Sequence, residues 1–293
     1  MKSQLRCVAP TGDICGEGAV WHPEQEALYW TDINRFLVHK LDLAADTTQT
    51  WLFCEPVTSI NLTTRDETLL LVLGSQIGLW SPSAHPEFKT IYTLADWPEM
   101  RFNDARVDPR GSLWAGTMRN NVGPCGEPLD VKFAGGVLYR IDPDGTVTEW
   151  KNGIGISNTV AWSPDARTFC FGDTTANVLW AFDYQMQTGA IGGQRNLLAD
   201  FGRGQPDGSA MDAEGFLWNA RYGGGCVVRI APNGEIDRVL EMPVFSPTTC
   251  AFGGKDNRTL FITSARSAEQ LSGSVFALDL NVCGVPDGQF GLK

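Results

Sequence analysis

Histidine is almost missing from this sequence. There are three in 293 residues, His22, His39 and His85, with no HExxH and no pair at ligand spacing. That leaves a zinc-protease reading nothing to stand on. A Ser-His-Asp triad fares no better, because Gly208-Ser209 lacks the strand-to-helix elbow a nucleophilic serine needs. Basic residues are scarce too, 23 Lys and Arg against 34 Asp and Glu, for a formal net charge of −11. No basic stripe exists to neutralise phosphates, which argues against nucleic acid, and the acidity is equally unhelpful at an anionic membrane.

Long apolar runs are lacking as well. A stretch such as Leu69 to Leu73 is far too short to cross a bilayer. Met1-Lys2-Ser3-Gln4 leads into an alternating segment rather than the apolar core of a signal peptide, so a cytoplasmic location is expected. No CxxC pair occurs among the eight cysteines at 7, 15, 54, 125, 170, 226, 250 and 283. Reduced thiols packed as small hydrophobes are the expectation, with Cys15, beside Glu17, the one place where a reactive thiol stays open. No linker or low-complexity run divides the chain, and one domain spanning 1–293 is expected.

What is present is a repeat. The stretch Arg101 to Met118, RFNDARVDPRGSLWAGTM, holds a polar head at Asn103 and Asp104, a turn at Asp108-Pro109-Arg110-Gly111 and an apolar return. It reads as a hairpin with a polar tip. Five more copies follow when the second turn residue is used as the ruler. These residues are Pro23, Thr64, Pro109, Pro164, Ala213 and Gly254, in steps of 41, 45, 55, 49 and 41. Each copy continues into a third strand, such as Gly136 to Ile141, and a fourth, such as Thr146 to Trp150. Periods of this size with four short strands each predict an all-β, six-bladed β-propeller of four antiparallel strands per blade. The sixth repeat lacks a clear fourth strand, and Leu5 to Ala9 lacks a partner. Together they are expected to close the ring and remove two exposed sheet edges.

In a propeller the first strand of each blade lines the central channel. Six residues before each ruler position stand Glu17, Thr58, Asn103, Asn158, Asp207 and Thr248, all bearing side-chain oxygen. Two carboxylates and two amide oxygens without histidine or cysteine suit a hard divalent cation at the channel mouth. Polar residues lining a wet channel are the other account. Glu17 and Asp207 would repel without a cation, which favours the metal.

The residues Gly16-Glu17-Gly18 with Trp21, Tyr29 to Ile33, Arg101 to Asp104, Ala115 to Met118, Ser157-Asn158, Pro206 to Gly208 and Ile262 to Arg266 occur in an order and spacing that resembles the SMP-30/gluconolactonase/luciferin-regenerating enzyme family, which includes regucalcin, over nearly the whole chain. The resemblance implies one divalent metal, calcium, zinc, manganese, magnesium or ferrous iron, and hydrolysis of a sugar lactone. It implies Glu17, Asn158 and Asp207 as metal ligands and Arg101 and Asn103 as substrate-binding residues. Where many relatives carry a second glutamate, this chain has Asn121, a weaker substrate-binding candidate that puts the hydroxyl pattern of the substrate in question. Asp207 is the candidate catalytic base. The favoured substrate is a pentonolactone such as the arabinonic or xylonic one, with gluconolactone open. Other esters or phosphotriesters as substrates, and a non-catalytic cation-binding propeller, are the alternatives.

The remaining motifs have structural readings beside functional ones. Ala95 to Phe102 and Arg119 to Ala134 fall on the mouth face, the second as either a wall for substrate or a disordered insertion. Arg101 is weighed between a substrate oxygen and a salt bridge to Glu99 or Asp104. Asp32 and Asp173 are expected to tie one blade to the next through backbone N–H groups, and the ten tryptophans to pack between blades.

Overall fold

Burial falls off from strand to strand within each repeat, and that gradient stacks four strands into a blade. Gly16–His22 is buried at every position, whereas Thr47–Leu52 is exposed at nearly all of them. The computed structural model describes residues 4–292. Blade one comprises Gly16–His22, Ala27–Asp32, Leu37–Asp42 and Thr47–Leu52. Blade two comprises Val57–Thr63, Leu69–Leu73, Gln76–Trp80 and Phe88–Thr93, and blade three Met100–Val107, Leu113–Arg119, Gly136–Ile141 and Val147–Ile154. Ser157–Trp162, Thr168–Asp173, Val178–Gln185 and Ala190–Ala199 form blade four; Gln205–Met211, Leu217–Tyr222, Cys226–Ile230 and Ile236–Glu241 form blade five. Blade six is Pro247–Gly253, Thr259–Ser264 and Val275–Asp279. Each inner strand touches the next, and the last touches the first, so the six sheets make a closed six-bladed propeller. The only helices among the described residues are two short 3-10 turns, and none is long and apolar enough to cross a membrane.

The apolar core is divided in the same way. Six clusters lie between neighbouring blades. One joins Tyr29 and Val38 of blade one to Leu71 and Trp80 of blade two; another joins Trp114 and Leu138 of blade three to Trp162 and Phe169 of blade four. A third joins Trp218 to Phe252 across blades five and six. Trp30, Trp80, Trp114 and Trp218 are almost wholly buried, as expected of tryptophans that pack between blades. Burying each such side chain contributes on the order of 2–3 kcal/mol.

The ring closes as the sequence predicts. Arg6–Ala9 pairs antiparallel with Val275–Asp279, setting Arg6 opposite Ala277 and Cys7 opposite Phe276, and Arg6 reaches Asp279 at 2.9 Å. Deleting residues up to Ala9 uncovers the edge of Val275–Asp279 and takes Ala9 out of the cluster between blades six and one. The expected result is a melting temperature several degrees lower, about 2–4 °C per kcal/mol lost, with concentration-dependent association read by light scattering.

The C-terminal segment differs from the four-strand expectation. Gln289–Phe290 adds a fifth strand to blade two, running parallel to Val57–Thr63 on its channel edge. On the way there the tail crosses the far end of the propeller. Gly284 N–H donates to Asn257, Val285 N–H to Met211, and Ala213 N–H to Cys283; Asp287 meets Arg106 at 3.2 Å, and Gly291 N–H donates to Gly111. Apart from the Asp287–Arg106 ion pair these bonds use the backbone, so a segment with little side-chain pattern is held to blades six, five, three and two.

Candidate functional site

All six inner strands are irregular at the same place. The register against the second strand shifts between Glu17 and Val20, Val57 and Ser59, Phe102 and Ala105, Asn158 and Val160, Pro206 and Ser209, and Pro247 and Cys250. A β-bulge re-aims the side chain it carries, and here it does so at each of the six ring positions. Close packing follows. A Cβ on Gly18 would lie 2.9 Å from Ser59 Cα, and one on Gly208 would lie 2.0 Å from Thr249 Oγ1. In blade four the residue after Asn158 is Thr159, at φ 56°, strained for a β-branched side chain. Its hydroxyl donates to the carbonyl of Asp207 and lies 2.8 Å from Ser209 Oγ. The strain therefore joins the backbones of two ring residues.

The ring is not six equal donors. Thr58 Oγ1 donates to Val72 O at 3.2 Å, and Thr248 Oγ1 donates to Gly16 O beside Thr263, so both hydroxyls are engaged with the wall. Glu17, Asn103, Asn158 and Asp207 are left. Asn158 donates from Nδ2 to Thr174 Oγ1 at 2.8 Å, which fixes its amide so that Oδ1 lies 3.3 Å from Asn103 Nδ2. Asn103 Nδ2 also donates to Ser157 O at 2.8 Å.

Each loop leading to Glu17, Asn158 or Asp207 is fastened by the end of its own blade's second strand. Asp32 accepts from the N–H groups of Ile14 (2.9 Å) and Cys15 (3.2 Å), and Asp173 from those of Gly155 (2.8 Å) and Ile156 (3.2 Å). Both aspartates accept from backbone N–H groups as expected, but in the loop leading into their own blade rather than from one blade to the next. In blade five Arg221 takes this part, donating to Arg203 O at 3.2 Å and Gly204 O at 2.8 Å.

Three buried carboxyls crowd the channel. Burial, and then the charge of Asp104, push the Glu17 carboxyl up to about 8, against the pull of the Gly18 N–H, the hydrogen bond with Asp207 and the Arg106 charge. Asp207 is raised well above the usual carboxylate range by burial first, then by Glu17 and Asp104. Asp104 is raised by burial and relieved by Arg106 and the N–H groups of Ala105, Val160 and Thr159. Burial thus disfavours the charged form of both Glu17 and Asp207. The pair fits a divalent cation: two hard carboxylates within hydrogen-bond reach, an oriented amide oxygen, and no imidazole or thiolate. Among the described residues no three His, Cys, Asp or Glu side chains form a ligand cluster, so a cation held here draws on amide oxygen too.

Arg101 has no salt bridge to Glu99 or Asp104. It donates from Nη1 to Asn103 Oδ1 (2.6 Å) and Phe102 O (2.9 Å), and from Nε (3.2 Å) and Nη2 (2.8 Å) to Asn121 Oδ1. The amide oxygen of Asn121 is therefore spent on Arg101. Its segment is a structured wall rather than a disordered insertion. Asn120 N–H donates to Glu99 O, Val122 bridges Pro128, and Asn34 of blade one donates to Gly126 O at 2.8 Å. The cysteines are all free. The Cys15 thiol is pushed well above its ordinary value by burial and then by Glu17, Asp207 and Asp32, which opposes a reactive thiolate there.

The sequence reading passed over Asp104 and Tyr222 as site residues. Asp104 had a signal: two adjacent polar residues on a strand buried throughout require a bulge to face the same way. Tyr222, whose phenol is raised by burial and by Cys15 and Asp207, ends the second strand of blade five, where the pattern gives no periodic hint.

Residues 15–266 match the family described as the SMP-30/Gluconolactonase/LRE-like region. A 6-deoxy-6-sulfogluconolactonase of Pseudomonas putida is 35% identical over 99% of both chains, and a pentonolactonase of Haloferax volcanii is 32% identical over 96% of both. Among solved structures, a calcium-binding protein, regucalcin, of Agrobacterium tumefaciens is 28% identical, with a TM-score of 0.90 over 99% of this chain and 98% of that one.

Proposed function

Because the chain belongs to the SMP-30/gluconolactonase/LRE-like family, we propose that it is a metal-dependent sugar lactonase, working as one cytoplasmic domain on a small-molecule lactone. The observation that carries this reading is the buried Glu17–Asp207 pair, both carboxyls raised first by burial and Asp207 also by the Glu17 charge, beside the oriented amide of Asn158. Glu17, Asn158 and Asp207 would hold the cation. When bound, it supplies Lewis-acid polarisation of the lactone carbonyl and stabilises the oxyanion.

The chain's own residues do the rest. Asp207 accepts the proton of the attacking water, since it is the carboxylate whose environment favours the protonated form most strongly. Glu17 keeps its charge on the cation through the Gly18 N–H at 2.8 Å. Asn103 and Arg101 orient ring and hydroxyl oxygens, and Asn121 acts through Arg101 by fixing its fork. For the ring itself a pentonolactone, arabinonic or xylonic, is the favoured size, in line with the pentonolactonase relative; a hexonic ring is the other, in line with the sulfogluconolactonase.

The test is acid release from a panel of pentono- and hexonolactones on metal-stripped protein, crossed against added calcium, zinc, manganese, magnesium and ferrous iron. Turnover far above the spontaneous rate, restored by one or more cations, is the expected result. Folded, metal-loaded protein that accelerates none of them overturns the reading.

A further inference from the structure

Of the four arginines buried among the described residues, Arg229 and Arg106 are neutralised, whereas Arg101 and Arg221 are not. Arg229 meets Asp212, Glu214 and Asp237, Arg106 meets Asp287, and the partly buried Arg35 meets Asp13 and Asp32. Arg101 differs from these three. It is 4% exposed, yet all its acceptors are neutral: two amide oxygens and one backbone carbonyl. No ion pair to it is formed among the described residues. Burial pulls its pKa down to about 10, against the opposing pull of Cys15 and Glu17, neither of which forms an ion pair with it.

Its position sets that charge beside the ring residues. The bond to Asn103 places one edge of the guanidinium on the ring of channel-lining residues, and the Asn121 wall, pinned to blade one through Asn34, closes the side away from it. Of its five N–H groups four are engaged, leaving one on Nη2. Arg221 also has only neutral acceptors, but at 1% exposure it fastens the loop before Asp207 and contributes field rather than contact.

A buried guanidinium without a carboxylate costs several kcal/mol, and an anion carried in by the substrate removes that cost. The position opposite Arg101 decides the matter: an acid there would neutralise the fork, whereas Asn121 orients it and leaves its charge whole. We propose that the lactones preferred by this site carry an anionic substituent off the ring, a carboxylate, sulfonate or phosphate, recognised by Arg101, with Asn121 as the residue that sets this preference. The proposal rests on the lactonase reading for its catalytic test but not for its binding test.

The probes are D-glucono-1,4-lactone and D-glucaro-1,4-lactone, which share a ring and differ in a hydroxymethyl against a carboxylate. Metal-loaded wild-type protein is expected to favour the second by at least about tenfold in kcat/KM. Asn121→Glu is expected to lower that ratio at least about tenfold and Asn121→Gln to keep it within about threefold, all three proteins melting cooperatively. A wild-type ratio of one or below, or a ratio that Asn121→Glu leaves unchanged, overturns the proposal while the lactonase reading stands. If neither lactone is turned over, the lactonase reading is judged on the full panel of pentono- and hexonolactones. Calorimetric binding of D-glucarate and D-gluconate to the wild-type protein then decides: glucarate tighter by at least about fivefold supports the proposal, and equal affinity ends it.

Discussion

Asp207→Asn lowers kcat for lactone hydrolysis by at least about a thousandfold and, in metal-stripped protein, raises the melting temperature by roughly 2–4 °C. Both effects come from one carboxyl. Asp207 and Glu17 sit within hydrogen-bond reach in a buried channel, where burial raises both and the Glu17 charge raises Asp207 further. An amide in place of Asp207 removes the like charge, so the folded state without a cation gains. It also removes one hard ligand and the proposed proton acceptor, so turnover collapses. Added cation should then stabilise the wild type by more than the variant, by about 2.7 kcal/mol at a hundred times Kd, inverting the order of the two melting curves. A variant that binds metal and retains full turnover excludes Asp207 as the base. A wild type that no divalent cation stabilises removes the metal site altogether.

Truncation after Leu280 lowers the melting temperature by more than about 10 °C, the largest stability effect expected of any short deletion. Phe290 is 3% exposed in the cluster between blades two and three, and its loss alone costs about 3–4 kcal/mol. Removal of Asp287 leaves Arg106 facing the channel without its partner, on the order of 3 kcal/mol more. Calorimetry on the truncated protein and on Phe290→Ala separates the contributions. A truncated protein melting within about 3 °C of the full chain would show that the strap is decoration.

The turns carried most of the fold in the sequence. Asp108 shows why: its Oδ1 accepts from the N–H groups of Arg110 and Ser112 and its Oδ2 from Trp114 Nε1, and Asp212 repeats the pattern with Glu214, Phe216 and Trp218. A turn that fixes its own hydrogen bonds leaves a local signature, and counting back from it reached every bulged ring residue. The unpaired Leu5 to Ala9 segment was legible for a similar reason, since alternation marks a strand even when its partner lies at Val275–Asp279.

What stayed hidden depends on partners distant in the chain. Thr58 and Thr248 stand where the ring positions require, yet nothing local tells that their hydroxyls bond Val72 and Gly16. The pairing of Arg101 with Asn121 crosses a bulge and a strand, and changed the reading of Asn121 from a substrate contact to the residue that holds the arginine. The tail was opaque because Cys283 to Gly291 bonds through its backbone, which any residue but proline can do.

One consequence of the pairing between Arg6–Ala9 and Val275–Asp279 concerns time rather than stability. The strand made before any blade completes the last one, so blade six cannot be finished until nearly the whole chain has left the ribosome. Glu17 is likewise made long before Asn158 and Asp207. The four consecutive strands of each of blades one to five can assemble in order from contacts local in sequence, but the closing contact spans 271 positions, from Arg6 to Ala277. Such a join is slow relative to local pairing. Until it forms, the nascent protein carries an unpaired edge at each end of an open arc, and the interval before closure is when a chaperone has most to offer it.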